Sequence, residues 1–317
     1  DLAKEIGDPT YLASKQTNLG TIYFLKRDYV NAIKYYNDSK PILEELDSIE
    51  ELATTLNNIG NIYSKIGSTD LALEKFLKAL EHLRSIDKED EIGEIWLNIS
   101  VLYNDKNEIE ESFKYLKKAE KLLSKENNEF NLAVCYQLYS KLFKKLDDLE
   151  TSKYYIDKAI DINTKLGNTE NLFENQVQLL SIILIDNPKD ALKSAKSLLA
   201  KSEALIPAKE KRDLYQILYL AYKREGQDST ALEMHEKLNV YQDSLSIINN
   251  RREVLRDELQ RQYDNQMSQL AQENNQRQSY LNNVTTKWNH YIALFSLLVI
   301  IVLILLYQSR LKSQEDK

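Results

Sequence analysis

Cysteine is almost missing from this 317-residue chain. Cys135 stands alone, which excludes an internal disulfide framework and a multi-cysteine metal site within one chain. Its expected place is that of a small buried hydrophobe in a helix. Glycine and proline are scarce as well, 7 and 4 residues, beside a large stock of Leu, Ile, Lys, Glu, Asn and Tyr. That balance is helix-rich composition. Basic charge is not in excess: the formal net charge is -7 and charged residues, 29% of the chain, are spread along most of it. Nothing suggests a basic surface built to hold nucleic acid phosphates. The three histidines, His82, His235 and His290, have no His or Cys neighbour at metal-ligand spacing. A phosphate-cradling Gly loop, a Ser nucleophile elbow and a kinase glycine loop are all missing. No catalytic residue, metal or cofactor is expected. The chain opens on Asp1 without Met and without a basic-then-apolar start, so any secretion signal was removed or lies upstream.

What is there is a repeat. The segments NLGTIY, NIGNIY and NISVLY begin at Asn18, Asn58 and Asn98, 40 residues apart. Gly20, Gly60, Ser100 and Ser140 keep that register, and Tyr23, Tyr63, Tyr103 and Phe143 follow three places later. Ala32, Ala72, Ser112 and Ser152 come next, then Ser39, Ala79, Ala119 and Ala159. Small residues on adjoining helices let two antiparallel helices approach closely, and the aromatic is expected to fill the gap between pairs. Two degenerate repeats follow. Leu180, Ile183, Ala191 and Ala195 mark the fifth, one residue short; Tyr219, Tyr222, Gly226, Ala231 and His235 mark the sixth. Gly67 and Gly226 fall between paired helices, Gly7 and Gly167 between repeats, and Pro188 and Pro207 at helix starts. Pro41 falls inside the second helix of the first repeat, where a kink is expected. Ile6 aligns with Leu46, Ile86 and Leu166. Residues 1–10 therefore read as the tail of a preceding repeat, and at least one more repeat is expected before Asp1, because an uncapped solenoid end exposes an apolar face.

This order of small and aromatic residues resembles the tetratricopeptide repeat. The usual repeat has about 34 residues, and the longer form here is closer to the subclass of kinesin light chain and related peptide-binding scaffolds. The resemblance implies an all-α solenoid of about six helix pairs over residues 11–240, with the first helix of each pair lining a concave groove. In that subclass an Asn at the matching place holds the backbone of an extended peptide. The carried-over positions are Asn18, Asn58 and Asn98, with Asn57, Asn61, Lys65, Asn104 and Lys141 nearby on the same resemblance. A carboxamide offers donor and acceptor together, so a ladder of them pairs with main chain whatever the ligand sequence. Leu138 occupies the equivalent place in the fourth repeat and stops the ladder.

After Gly226 neither Gly nor Pro occurs. A helix is predicted from Ser229 to Lys312, with Asp243 and Ser244 offering a break and recap. Met267, Leu270, Asn274, Arg277, Leu281, Val284 and Trp288 alternate three and four spacing, as a coiled-coil seam does. Leu245, Ile248, Leu255 and Leu259 keep a similar spacing one residue out of step, so a skip near Gln266 is needed. Residues 241–289 are expected to form a stalk pairing two copies into a homodimer, with Asn274 fixing the register. Tyr291 to Tyr307 reads YIALFSLLVIIVLILLY, seventeen residues without a charge, about 26 Å as a helix. That approaches a hydrocarbon core of ~30 Å, so residues 290–308 are expected to cross the membrane once, with Trp288, Tyr291 and Tyr307 at its edges. Arg310, Lys312 and Lys317 after the span, against Arg277 and Lys287 before it, place residues 309–317 in the cytosol. The repeat domain of this single-pass inner-membrane protein then faces the periplasm or the outside.

Repeats, stalk, one span and basic residues beyond it resemble bacterial membrane-bound tetratricopeptide sensors, whose cytosolic side continues into a histidine kinase or a helix-turn-helix DNA-binding domain. That resemblance implies a protein-interaction module without enzymatic activity, holding a protein or peptide ligand and signalling through the stalk. Two alternatives stand beside it: a static membrane-anchored scaffold for envelope assembly, and a cytosolic adaptor anchored by its tail.

Overall fold

The computed structural model describes residues 8–88, 91–202 and 204–315. Expectations placed on Ile6, Gly7 and Lys317, and on the side chains of Tyr307, Arg310 and Lys312, lie outside the described residues. Among the described residues the backbone forms twelve α-helices and no strand. They are α1 (Pro9–Leu25), α2 (Tyr29–Glu45), α3 (Ile49–Ile66), α4 (Thr69–Ser85), α5 (Ile92–Asp105) and α6 (Ile109–Lys125), then α7 (Glu129–Lys145), α8 (Leu149–Leu166), α9 (Thr169–Asp186), α10 (Pro188–Ser202), α11 (Ala208–Arg224) and α12 (Asp228–Glu315).

The helices end on a clock. Arg27, Asp47, Gly67, Asp87, Asn107, Asn127, Asp147 and Gly167, one every twenty residues, all have φ between 53° and 84°. A left-handed residue costs about 1–2 kcal/mol unless it is Gly, Asn or Asp, which explains the residue types at seven of the eight places. At each turn the next N–H reaches back five residues, as Asp28 to Tyr23, Ser48 to Leu43 and Ser68 to Tyr63 at 2.9–3.0 Å, so helix-end carbonyls are satisfied. The following helix starts at once, and side chains of Asp28, Asn128, Asp148 and Asn168 accept from the third N–H beyond them. The period of 40 is thus two helix-and-turn units of twenty. Pro188 opens α10 and Pro207 precedes α11. Pro41 lies within α2, which continues unbroken past it to Glu45.

The helices pair as α1 with α2, α3 with α4, and onward to α11 with the first turns of α12, whose Ala231, Met234 and Leu238 are buried with Tyr215 and Leu218. The small residues do what their register requires, in two ways. In the first two repeats a Cβ on Gly20 or Gly60 would sit 2.6 Å from the Tyr36 or Phe76 ring, both rings being fully buried. In the next two the glycine is a serine and the ring an aliphatic side chain, Leu116 or Ile156. There the hydroxyls lace the pair: Ser100 donates to the Ser112 carbonyl at 2.7 Å and Ser112 to the Ser100 carbonyl at 2.8 Å, and Ser152 donates to the Ser140 carbonyl at 2.8 Å. The buried volume is shared between two positions, so both must change together.

The aromatic expected between pairs stacks on a ring of its own pair. Tyr23 lies on Tyr35, Tyr103 on Tyr115 and Phe143 on Tyr155, with centroids 5.2–5.6 Å apart. Of the three, only Phe143 also meets a ring of the preceding pair among the described residues, Phe113 at 5.2 Å. The two rings of each stack stand on either side of one turn, and an antiparallel pair brings such positions face to face. Cys135 is buried, as expected.

The chain divides into two units, Asp1–Asp257 and Glu258–Lys317. The second is helical throughout its described length. The break expected at Asp243 and Ser244 is not made: the Ser244 hydroxyl bonds back to the Val240 carbonyl at 2.9 Å, a bond made within a helix, and α12 runs on. Its last turns contain an apolar stretch of mean hydropathy 2.5, none of it buried, which by length and composition is able to cross a membrane. Met267, Leu270, Leu281 and Trp288 of the predicted seam are about half exposed or more.

Candidate functional site

In the repeat unit the first helices of successive pairs, α5, α7, α9 and α11, line one cavity of about 830 Å³. Among the described residues no second helix contributes to it. Long polar side chains reach from each first helix to the one before it. Lys145 of α7 donates to the Asn104 carbonyl at the end of α5 at 2.9 Å. Arg224 of α11 makes the same kind of bond to the Leu184 carbonyl of α9. Both cations sit at helix C-termini, where carbonyls lack intrahelical partners and the dipole is negative. Gln178 of α9 donates to the Ser140 hydroxyl at 2.8 Å and to the Gln137 carbonyl at 3.3 Å.

An ion triad crosses the cavity. Glu174 of α9 lies 3.1 Å from Lys141 of α7 and 3.3 Å from Lys209 of α11. Burial by itself would raise the Glu174 carboxyl, but the two ammonium groups and their hydrogen bonds outweigh it and hold it at about 2. Burial likewise opposes the charge on Lys209, and Glu174 with Glu210 overcomes it, so the ammonium is raised. Lys144 has no such partner. Half-buried, it bonds the Ser181 hydroxyl at 2.7 Å, and burial lowers its pKa. Glu210, almost fully buried, is raised by desolvation.

Of the residues carried over from the family resemblance, Asn104 and Lys141 line this cavity. Asn18 lines a different one of about 340 Å³ between α1, α2 and α3. Asn57 lines a third of about 230 Å³. The Asn98 side chain donates to the Asn57 side chain at 3.3 Å, which ties α5 to α3. Asn58 and Asn61 are half-buried, Lys65 is exposed, and none of the three lines these cavities. Asn18, Asn58 and Asn98 do not share any one of these cavities.

Lys144, Lys145, Gln178 and Arg224 line the cavity without having been among the residues predicted from sequence, and the same is true of Glu174 and Lys209. A signal for Gln178, Lys145 and Arg224 was present. Gln178 stands 40 places after Leu138 and resumes the amide ladder, while Lys145 and Arg224 occupy the repeat position of Lys65, allowing for the one-residue shortening of the fifth repeat.

Comparison with known proteins agrees with this geometry. Family models described as tetratricopeptide repeats match residues 11–85 and 93–122. No curated protein matches the sequence. Among solved structures, BtubC (BKLC) from P. vanneervenii is similar at a TM-score of 0.56 and 15% identity, over 68% of this chain and 91% of that one. A STAND protein with a tetratricopeptide repeat sensor from Pyrococcus horikoshii is similar at 0.60 and 17%, over 77% of this chain and 39% of that one. A Rap protein complexed with Competence and Sporulation Factor gives 0.55 and 14%, over 73% and 75%. At these identities the likeness is one of fold: this chain has an all-α, tetratricopeptide-type helical repeat with a long apolar C-terminal helix.

Proposed function

We propose that this chain is the membrane-anchored, ligand-binding part of a bacterial signal-transduction protein, holding a protein or peptide segment in its groove and answering through α12. The observation that carries the reading is the cavity of about 830 Å³ lined by four first helices. Its walls combine apolar side chains with a few convergent polar groups, as ligand sites do. Two of the similar folds point the same way, one a STAND protein with a tetratricopeptide repeat sensor and one a Rap protein complexed with Competence and Sporulation Factor.

The apolar stretch of α12 supplies the anchor, and the exposed seam of the stalk supplies the pairing surface for a second copy. Basic residues after the span favour a cytosolic C-terminus and an extracytoplasmic repeat domain. A ligand transmits only if it binds two states of the module unequally. In this chain the side chains that cross from one first helix to the next, Lys145, Arg224 and the Glu174 triad, are the contacts such a ligand would rearrange.

The test is a photo-crosslinking amino acid placed at Gln216, an exposed residue of the cavity wall, or at Lys153 on a second helix. In cells the Gln216 site is expected to form a discrete adduct and the Lys153 site none. Adducts from Lys153 alone would remove the groove from consideration.

A further inference from the structure

We infer that the groove of α5, α7, α9 and α11 takes an acidic peptide segment, with its carboxylates on Lys144, Lys145 and Arg224 and its apolar side chains on Leu184, Ile185 and Leu220. The inference rests on the peptide-binding reading above and adds the chemistry of the occupant.

The chain carries a formal charge of -7, yet this cavity is lined by five cations and three carboxylates. The carboxylates are accounted for: Glu174 by Lys141 and Lys209, Glu210 by Lys209 at 3.7 Å, and Asp213 by Arg212. The other three cations, Lys144, Lys145 and Arg224, have no carboxylate partner among the described residues. Each bonds a carbonyl or a hydroxyl, which leaves part of its donor set open. An incoming carboxylate would relieve the desolvation that opposes the charge on Lys144. That these helices accept a carboxylate between two lysines is already visible at Glu174.

Beside the cations lies an apolar strip in which Ile185 is 45% exposed while Leu184 is buried. Two amide oxygens, Asn104 Oδ1 and Gln178 Oε1, are buried in the lining without a hydrogen-bond partner among the described residues, and Asn104 is only 8% exposed. They ask for N–H donors, which a peptide backbone supplies. Cations, apolar strip and amide acceptors together fit an extended acidic peptide. A nucleic acid would offer nothing to the strip.

The full chain in a non-ionic detergent should be challenged with a random octapeptide library bearing free C-termini. Bound peptides are expected to be enriched in Asp and Glu together with Leu, Ile or Phe. Their affinity should fall about tenfold or more in Lys144→Gln/Lys145→Gln/Arg224→Gln, the scale of a lost charge-assisted hydrogen bond. Because Lys145 and Arg224 also bond helix ends, the charge-retaining pair Lys145→Arg/Arg224→Lys must keep binding if charge is the cause. Neutral or basic peptides that bind the groove and ignore the triple variant would overturn the acidic inference and leave the groove reading standing. An equally tight single-stranded oligothymidine would overturn it too. If no peptide is enriched, both readings fall.

Discussion

Replacing Glu174 by Gln should weaken the last three repeats and should do so only above acidic pH. Glu174 ties α9 to α7 and α11 through Lys141 and Lys209, at 3.1 and 3.3 Å. A carboxyl held at about 2 instead of its ordinary 4.5 corresponds to roughly 3 kcal/mol of linkage at full strength. The lysine side chains are 39% and 55% exposed, so water and salt screen the pair, and about 1–2 kcal/mol is the figure to expect. The folded-state value lies below the unfolded one. The contribution is therefore complete above about pH 4.5 and disappears as pH falls towards 2. Urea unfolding of wild type and Glu174→Gln in non-ionic detergent, followed by far-UV circular dichroism at several pH values, isolates this group, since all other carboxylates are common to both. The gap should be about 1–2 kcal/mol at pH 7 and should close by about pH 2. In a solenoid, hydrogen exchange should place the loss in α7 to α11 rather than α1 to α4. A gap that stays constant from neutral to acid, or a variant more stable than wild type at pH 7, would refute the reasoning.

Gly60→Ser should cost about 1–3 kcal/mol by overpacking the buried Phe76 ring, whose nearest atom lies 2.6 Å from the added Cβ. Gly60→Ser/Phe76→Leu, which copies the third repeat's Ser100 and Leu116, should recover much of that loss in the same unfolding assay. Arg27 is the one left-handed turn residue in the series that is neither Gly, Asn nor Asp, so Arg27→Gly should raise stability by up to about 1 kcal/mol, read as a higher urea midpoint. In membranes, Leu270→Cys on the predicted seam should cross-link two copies under mild oxidation while Gln272→Cys, off the seam, should not; equal yields would remove the coiled coil. Buried Cys135 gives no background adduct in that assay because desolvation pushes its thiol above the ordinary range.

The helical repeat and the apolar C-terminal stretch were both legible in the residues alone, for one reason. Each is a one-dimensional pattern: Gly20, Gly60, Ser100 and Ser140 recur at a fixed interval, and YIALFSLLVIIVLILLY is a run without charge. Local physics then suffices, because a helix of fixed rise and a left-handed turn every twentieth residue convert spacing directly into position. What the tertiary structure decided are contacts between groups 12 to about 40 residues apart that no pattern ranks. It put Tyr23 on Tyr35 within a pair instead of between pairs. It directed the Asn98 amide to Asn57, and it drew Lys144, Lys145 and Arg224 around one cavity. The register shows which residues share a repeat position; only the stacking of one first helix on the next selects the carbonyl, carboxylate or open space that each long side chain meets.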